Sequence, residues 1–319
     1  MAKRILVTGG AGFIGTHLAE RFCREHEVVL FDNLRRDSLS LAPELKSNPR
    51  VRMVKGDTLD PASLAPAFEG VETVLHLAAI AGVSSYYREP LRTLDVNILG
   101  TVNVLREAVR CGARQFVFFS TSEVFGSDAS QVGEQDPCGI GPSTDRRWVY
   151  ATSKLAGEHF SLRFGEEHGF AATAVRPFNV YGPRQTGEGA VSNFCRAAAS
   201  GQSLTVYGEG SATRAWCYVS DMVDAVEAVL AKPEAAAGQV FNIGNPSAVE
   251  SARGLAERVA RLVPGIQVRH QPVERAEVRD RVPVIALDQR LLGYNPKVDL
   301  DSGLRLTLEW FSRHKDLQP

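Results

Sequence analysis

Three features of the sequence predict an α/β chain organised on a doubly wound parallel sheet. Short apolar runs alternate with helical patterns through the first half. The runs are rich in Val, Ile and Leu without period-two alternation, as expected of strands covered on both faces. The first run passes directly into a glycine-rich turn and a helix start, Thr8 to Gly15. Strands alternating with helices imply right-handed crossovers and hence a doubly wound sheet. At 319 residues the chain is long for one domain and short for two full ones, so one large core with an appended lobe is expected.

Strands are predicted at Ile5–Thr8, Val28–Phe31, Val51–Val54, Val74–Leu77 and Phe116–Ser120, with helices over Thr16–Arg24, Pro61–Phe68 and Thr93–Cys111. A long polar loop is expected from Gly126 to Arg147, and its length suggests that it borders a site. A long helix opens at Tyr150. Further on, strands are predicted at Thr173–Val175, Leu204–Tyr207 and Val240–Ile243, and helices at Ser192–Ala199, Asp221–Leu230, Glu250–Val263 and Gly303–Phe311.

Composition narrows the class. The apolar fraction is 44%, the charged fraction 23% and the net charge -1, with no block of like charge. That pattern excludes a surface built to neutralise nucleic-acid phosphates. The pairs Arg35-Arg36 and Arg146-Arg147 read as solvated faces or small-anion contacts. Five scattered cysteines, an odd number, fit a reduced, cytoplasmic protein with buried thiols and no metal site. No apolar run reaches the roughly 18 residues that span a membrane, and the first strand begins too early to leave room for a signal peptide.

Gly9, Gly12 and Gly15 stand three apart between a buried strand and a helix. Glycines admit a diphosphate to the backbone, and the helix start offers unpaired N–H groups with a partial positive charge. Asp32 follows the second strand, 23 positions after Gly9. A carboxylate there accepts ribose hydroxyls and repels a 2′-phosphate, which favours NAD. Arg35 and Arg36 keep NADP as the alternative. Asp57 either bonds the adenine amino group or caps the helix starting near Pro61. Ala78 and Ala79 end the fourth strand with small residues where a cofactor approaches the sheet. Ser120, Thr121, Ser122 and Glu123 follow the fifth, where hydroxyls face the crevice or cap a turn. Tyr150 and Lys154 are four apart and share one helical face. An ammonium near a phenol lowers its pKa from about 10 and makes Tyr150 a general base; the alternative is a surface pair.

Taken together, and in this order, these features resemble the extended short-chain dehydrogenase/reductase superfamily, specifically its nucleotide-sugar epimerase, dehydratase and decarboxylase branch. The motifs are TGGAGFIG at Thr8–Gly15, HLAA at His76–Ala79, STSEVFG at Ser120–Gly126, YATSK at Tyr150–Lys154, RPFNVYGPR at Arg176–Arg184 and TVYGEGSATRAWCYVSD at Thr205–Asp221. The resemblance implies a Rossmann-type NAD domain over residues 1–178, with segments near 215–245 returning to it. A smaller α/β substrate lobe would occupy 179–319. It places NAD against Gly9, Gly12, Phe13, Ile14, Gly15, Asp32, Asn33, Asp57, Thr58, Leu77, Ala78, Ala79, Asn97, Ser120, Tyr150, Lys154 and Pro177. It assigns Arg214 and Asn179 to the substrate diphosphate or sugar, and Asn193, Thr205 and Tyr207 to the base and ribose pocket. Arg275 is left between a diphosphate contact and a surface ion pair. It also implies a homodimer formed by the helices at Thr93–Cys111 and Tyr150–Gly165.

The implied chemistry begins with oxidation at sugar C4. Tyr150 takes the hydroxyl proton, Lys154 binds the nicotinamide ribose and Thr121 positions the hydroxyl. Similar 4,6-dehydratases carry an Asp-Glu pair after the Thr; Ser122 replaces that Asp, which disfavours dehydration. The expected activity is that of a nucleotide-sugar, in particular UDP-sugar, 4-epimerase. The alternative is a UDP-glucuronate decarboxylase, which Thr121-Ser122-Glu123, VSNF at Val191–Phe194 and the Arg-Trp before Tyr150 resemble. Glu123 is either an acid–base group or a loop brace. A non-catalytic NAD-binding sensor or scaffold is the remaining reading, opposed by intact Thr121, Tyr150 and Lys154.

Overall fold

The computed structural model describes residues 2–272 and 280–315. Fifteen strands occur among the described residues: β1 Arg4–Thr8, β2 Glu27–Asp32, β3 Val51–Lys55, β4 Thr73–His76, β5 Gln115–Phe119, β6 Ala129–Val132, β7 Ala171–Pro177, β8 Val180–Tyr181, β9 Leu204–Tyr207, β10 Thr213–Ala215, β11 Cys217–Tyr218, β12 Val240–Ile243, β13 Val249–Ser251, β14 Val268–Gln271 and β15 Arg281–Pro283. Seven form one parallel sheet in the order β12-β7-β5-β4-β1-β2-β3. The winding reverses between β1 and β4, which opens a crevice at the strands' carboxyl ends.

Both faces of this sheet are buried, as its unalternated sequence requires. Ile5 and Val7 face one apolar cluster with Leu18, Val28 and Leu30. Leu6 faces the other, with Val29, Phe31, Val74, Phe116 and Phe118. Met222, Val223, Phe241, Ile243 and Leu292 join the first cluster, so late segments pack back onto the sheet. A third cluster gathers Tyr181, Phe194, Leu204, Trp216, Leu255, Leu304 and Phe311. Beside it lies a four-stranded sheet in the order β13-β10-β15-β6.

A buried polar chain ties the sheet together at the crevice. His76 Nδ1 lies 2.6 Å from Thr8 Oγ1 and Nε2 lies 2.9 Å from Thr101 Oγ1. Burial pushes the imidazole down to about 3, so it stays neutral and serves as a cross-brace.

Local departures from the sequence reading have physical causes. The polar loop expected at 126–147 contains β6, which pairs with β15; a four-residue edge strand carries too little periodicity to read. The helix expected over Thr93–Cys111 starts at Pro90 and passes through a π-helical turn, Asp95–Leu99. Such turns re-aim side chains, and here Asn97 is turned inward. The helix expected from Glu250 starts at Ala252, capped by Ser251, because Val249–Ser251 pair with β10. Among the described residues, no helix is long and apolar enough to cross a membrane.

Asp288, in the helix Ala286–Leu292, is fully buried and neither carboxyl oxygen has a partner. Burial, with Glu134 adding to it, pushes its pKa up to about 9. The folded chain therefore holds this proton where the unfolded chain has released it, and the group's contribution to stability falls as pH rises from about 4 towards 9. Asp288→Asn is expected to remove that loss. Its stability relative to wild type, measured by denaturant titration, should grow by at least about 1 kcal/mol between pH 5.5 and pH 8.5. An unchanged difference would contradict the assignment.

Candidate active site

The glycine turn is shaped by contact. Gly9 has φ +69, and a Cβ there would lie 2.8 Å from Ala78 N and 2.9 Å from Leu77 C. At Gly15 a Cβ would lie 2.6 Å from Gly9 O and 2.8 Å from Gly10 Cα. The helix Phe13–Phe22 starts at Gly12 without a side-chain cap, so its first N–H groups face the crevice unsatisfied by the chain. Asp32, at the end of β2, accepts hydrogen bonds from Ala11 N at 3.1 Å and Leu34 N at 2.7 Å. Burial nevertheless raises its pKa.

These residues line a cavity of about 400 Å³. Of the residues assigned to the cofactor, Gly9, Gly12, Phe13, Ile14, Gly15, Asp32, Asn33, Asp57, Thr58, Leu77, Ala78, Ala79, Ser120, Tyr150, Lys154 and Pro177 line it. Asn97 does not line it. Its buried amide bonds Ile80 N at 2.8 Å, Ile80 O at 3.1 Å and Ser153 Oγ at 2.9 Å, so it shapes the wall from behind. Asp57 is not the helix cap; Asp60 is, accepting from Ala62 N. Asp57 instead accepts from Leu59 N and pairs with Arg92 at 3.0 Å. Arg35 is held by Glu89 at 2.5 Å and Arg36 donates to Ser85 Oγ.

Thr121 lines the cavity with Tyr150 and Lys154, whereas Ser122 and Glu123 do not. Ser122 is buried in the turn Ser122–Phe125. Tyr150 and Lys154 begin the helix Val149–His168. Lys154 Nζ donates to Phe119 O at 2.6 Å and lies 4.9 Å from the centre of the Phe118 ring. Burial pushes this amine down to about 7, with Glu158 opposing. The expectation that Lys154 lowers the Tyr150 pKa is not met. Burial raises the phenol strongly, the Glu123 carboxylate and Tyr86 raise it further, and a hydrogen bond with Thr121 and the charge of Arg36 act against them. Lys154, aimed at the Phe119 carbonyl, does not offset the drying of the pocket, which disfavours the phenolate.

Asn179, with φ +41, lines the cavity and donates to Ala215 O at 3.0 Å. Asn193 is exposed on the helix Ala190–Ala199, Thr205 and Tyr207 lie on β9, and Tyr207 is 57% exposed. Arg214 lies on β10 opposite Arg281 of β15. Asn193, Thr205, Tyr207, Arg214 and Arg281 do not border the cavity. Arg275 lies outside the described residues.

Three features escaped the sequence reading. Gln185, Thr186 and Glu188 line the cavity, and Glu188 accepts from Ser84 N at 3.2 Å across its mouth. Arg281 is 5% exposed, donates to Gly126 O at 3.1 Å, and its Nε has no partner. Arg147, read as a solvated or anion-contacting charge and, with Trp148, as resembling the decarboxylases, is half-buried and pairs with Glu123 at 2.7 Å, a contact the sequence did not show.

A dinucleotide fits the residues present. Ser120 Oγ is buried at the cavity without a partner, the glycine turn has no room for side chains, and the helix start is uncapped. The comparisons agree. Residues 5–244 match the model of the NAD dependent epimerase/dehydratase family. The chain is 34% identical over 322 residues to a UDP-N-acetyl-alpha-D-glucosaminuronate decarboxylase of Bacillus cytotoxicus, covering 98% of each. It is 34% identical over 319 residues to UDP-glucuronic acid decarboxylase 6 of Arabidopsis thaliana, covering 97% of this chain and 88% of that one. A UDP-glucuronic acid 4-epimerase of Bacillus cereus, solved with UDP-glucuronic acid and NAD, superposes with a TM-score of 0.89 at 26% identity, covering 98% of this chain and 99% of that one. A buried glycine turn, an acidic second-strand end and a Tyr-Lys helix at one crevice thus accompany a match over most of the chain: it belongs to the NAD-dependent epimerase/dehydratase family.

Proposed function

We propose that the chain is a nucleotide-uronate decarboxylase, acting on a UDP-uronate through a 4-keto intermediate. The observation that carries this reading is Arg281. It is buried beside Glu123, Arg147 and Arg214, and has no carboxylate partner among the described ion pairs. Glu123 is already matched by Arg147. Burial, helped by Arg214 and Arg147 and opposed by Glu123, pushes Arg281 down to about 10. A buried guanidinium that shares its one neighbouring carboxylate, Glu123, with Arg147 is under-compensated, and an anionic substrate group near C6 would complete its charge. A neutral hexose does not. The decarboxylase relatives support the same choice, as do Thr121-Ser122-Glu123 and Arg147, so this reading replaces UDP-sugar 4-epimerisation as the first one. A uronate 4-epimerase is the second, favoured by the fold match to the Bacillus cereus enzyme.

In this reading Gly9, Gly12 and Gly15 hold the cofactor's diphosphate, Asp32 its adenosine ribose and Lys154 its nicotinamide ribose. NAD, when bound, accepts a hydride from C4 and later returns it. Tyr150 takes the C4 hydroxyl proton, with Thr121 orienting that hydroxyl. The ketone makes the C6 carboxylate a β-keto acid. Carbon dioxide leaves, the C5–C6 electron pair enters the C4–C5 enolate, and a proton is added at C5. Tyr150 finally returns its proton to O4. The net change consumes one proton and releases one carbon dioxide.

With NAD+ and UDP-glucuronate the protein is expected to form UDP-xylose and carbon dioxide, read by mass spectrometry. A C4 epimer that keeps its carboxylate would select the epimerase, and turnover of UDP-glucose with none of UDP-glucuronate would overturn the uronate reading. Tyr150→Phe is expected to lower kcat by at least about 100-fold with NAD affinity unchanged within about threefold; unchanged turnover would remove Tyr150 from the mechanism. Gly9→Ala is expected to weaken NAD binding by at least about tenfold, by calorimetry, because the added methyl meets backbone and the φ is unfavourable. We also propose a homodimer through the helices at 90–111 and 149–168, where Leu91 is 75%, Leu99 54% and Phe160 39% exposed. Light scattering at micromolar concentration should give twice the monomer mass.

A further inference from the structure

We propose that Arg147 is a positioning residue for Tyr150. Its guanidinium clamps Glu123 and Tyr86 together and cancels the charge of Glu123 where it faces the Tyr150 phenol. This rests on the reading of Tyr150 as the base.

Three separate segments meet at this guanidinium. Arg147 lies on the turn Arg146–Trp148, Tyr86 on the helix Val83–Arg88 and Glu123 on the turn Ser122–Phe125. Arg147 Nη1 donates to Glu123 Oε2 at 2.7 Å and also to the Tyr86 hydroxyl. The guanidinium carbon lies 5.7 Å from the centre of the Tyr86 ring and 5.8 Å from that of Trp148. Tyr86 is fully buried. Its ring lies parallel to that of Tyr150, with centres 6.0 Å apart and planes 8° from each other. Arg147, Tyr86 and Glu123 all stay off the cavity wall that Tyr150 forms, so they act through Tyr150.

The electrostatics give the clamp its direction. The groups facing Tyr150 are Glu123 and Tyr86, which disfavour its phenolate, and Thr121 and Arg36, which favour it. Lys154 stands on the same helical face. Glu123 in turn faces Arg147 and Arg281. With Arg147 removed, the Glu123 carboxylate would lose its hydrogen-bonded partner at 2.7 Å and act on the phenol unscreened, in a buried site where charges interact strongly. Both bonds leave Nη1, whose two hydrogens are fixed in the guanidinium plane, and an ammonium on a flexible stem does not hold that arrangement.

The test follows Tyr150 directly, as the tyrosinate absorbance difference between the NAD+-loaded protein and its loaded Tyr150→Phe variant, titrated to pH 11. Arg147→Gln is expected to raise the midpoint by at least about 1 pH unit, a tenfold loss of phenolate at a given pH. Arg147→Gln combined with Glu123→Gln is expected to return it close to wild type, because the stray charge is gone. Arg147→Lys, which keeps the charge and loses the fork, is expected to keep the wild-type midpoint with a lower kcat; it carries the test should Arg147→Gln fail to fold. An unchanged midpoint in Arg147→Gln would overturn the proposal. So would an equal rise in the double variant, a shifted midpoint in Arg147→Lys, or a wild-type Tyr150 that does not titrate below pH 11. Full turnover by Tyr150→Phe would instead refute the base assignment, while the midpoints would still report whether Arg147 controls the phenol.

Discussion

The site depends on how the helix Val149–His168 is pressed onto the sheet. Gly157 rests on the Phe118 ring, which leaves no room for any side chain there. The next residue, Glu158, meets Arg176 of β7 in a two-pronged pair at 2.9 and 2.8 Å, with both side chains at most 5% exposed. Breaking a buried pair of this kind from one side costs about 3–5 kcal/mol, since the remaining charge is stranded. Lys154, on the same helix, is drawn against the carbonyl of Phe119 at the carboxyl end of β5. These contacts fix the height and rotation of the helix, and with them the place where the Tyr150 hydroxyl enters the crevice.

Burial makes this crevice chemically active. It raises the Tyr150 phenol and lowers the Lys154 amine to about 7, so each is nearer its neutral form than it would be in water. Such a pair is poised to respond to charge brought into the cavity. The chain surrounds it with unequal charges: a single carboxylate, Glu123, shared between Arg147, which it bonds, and the buried Arg281. In the proposed reaction a cationic nicotinamide held by Lys154 would favour the Tyr150 phenolate, and an anionic sugar would complete the charge of Arg281. In this account the NAD-binding half supplies a step common to the family, and the arginines beside Glu123 set which sugar it serves.

Much of this was legible in the sequence where function rests on local geometry. The glycine turn, Asp32 and the Tyr150–Lys154 spacing are set by backbone conformation and helical period, and they stand where those rules place them. Residues whose role depends on distant segments were not legible. Asn97 was read as a cofactor contact; its bonds to Ile80 and Ser153, made from a π-helical turn, could not be read from the sequence. Asp57 passed for a possible helix cap because Asp60, three residues on, does that work. Arg147 looked like half of a surface pair; only the fold brings Tyr86 and Glu123 to it. The effect of Lys154 on Tyr150 was misjudged because a sequence shows spacing and conceals desolvation. Asn193, Thr205 and Tyr207 stand on elements away from the cavity, and their assignment to the base pocket remains a proposal.

The central claim is that a cofactor held in the crevice takes a hydride from C4 and returns it to the same carbon after carbon dioxide has left. The most direct measurement uses UDP-glucuronate carrying deuterium at C4, with mass and NMR analysis of the product. The account predicts a pentose product that keeps the label at C4, with none in the solvent. Loss of the label from the product, or its appearance in water, would contradict it.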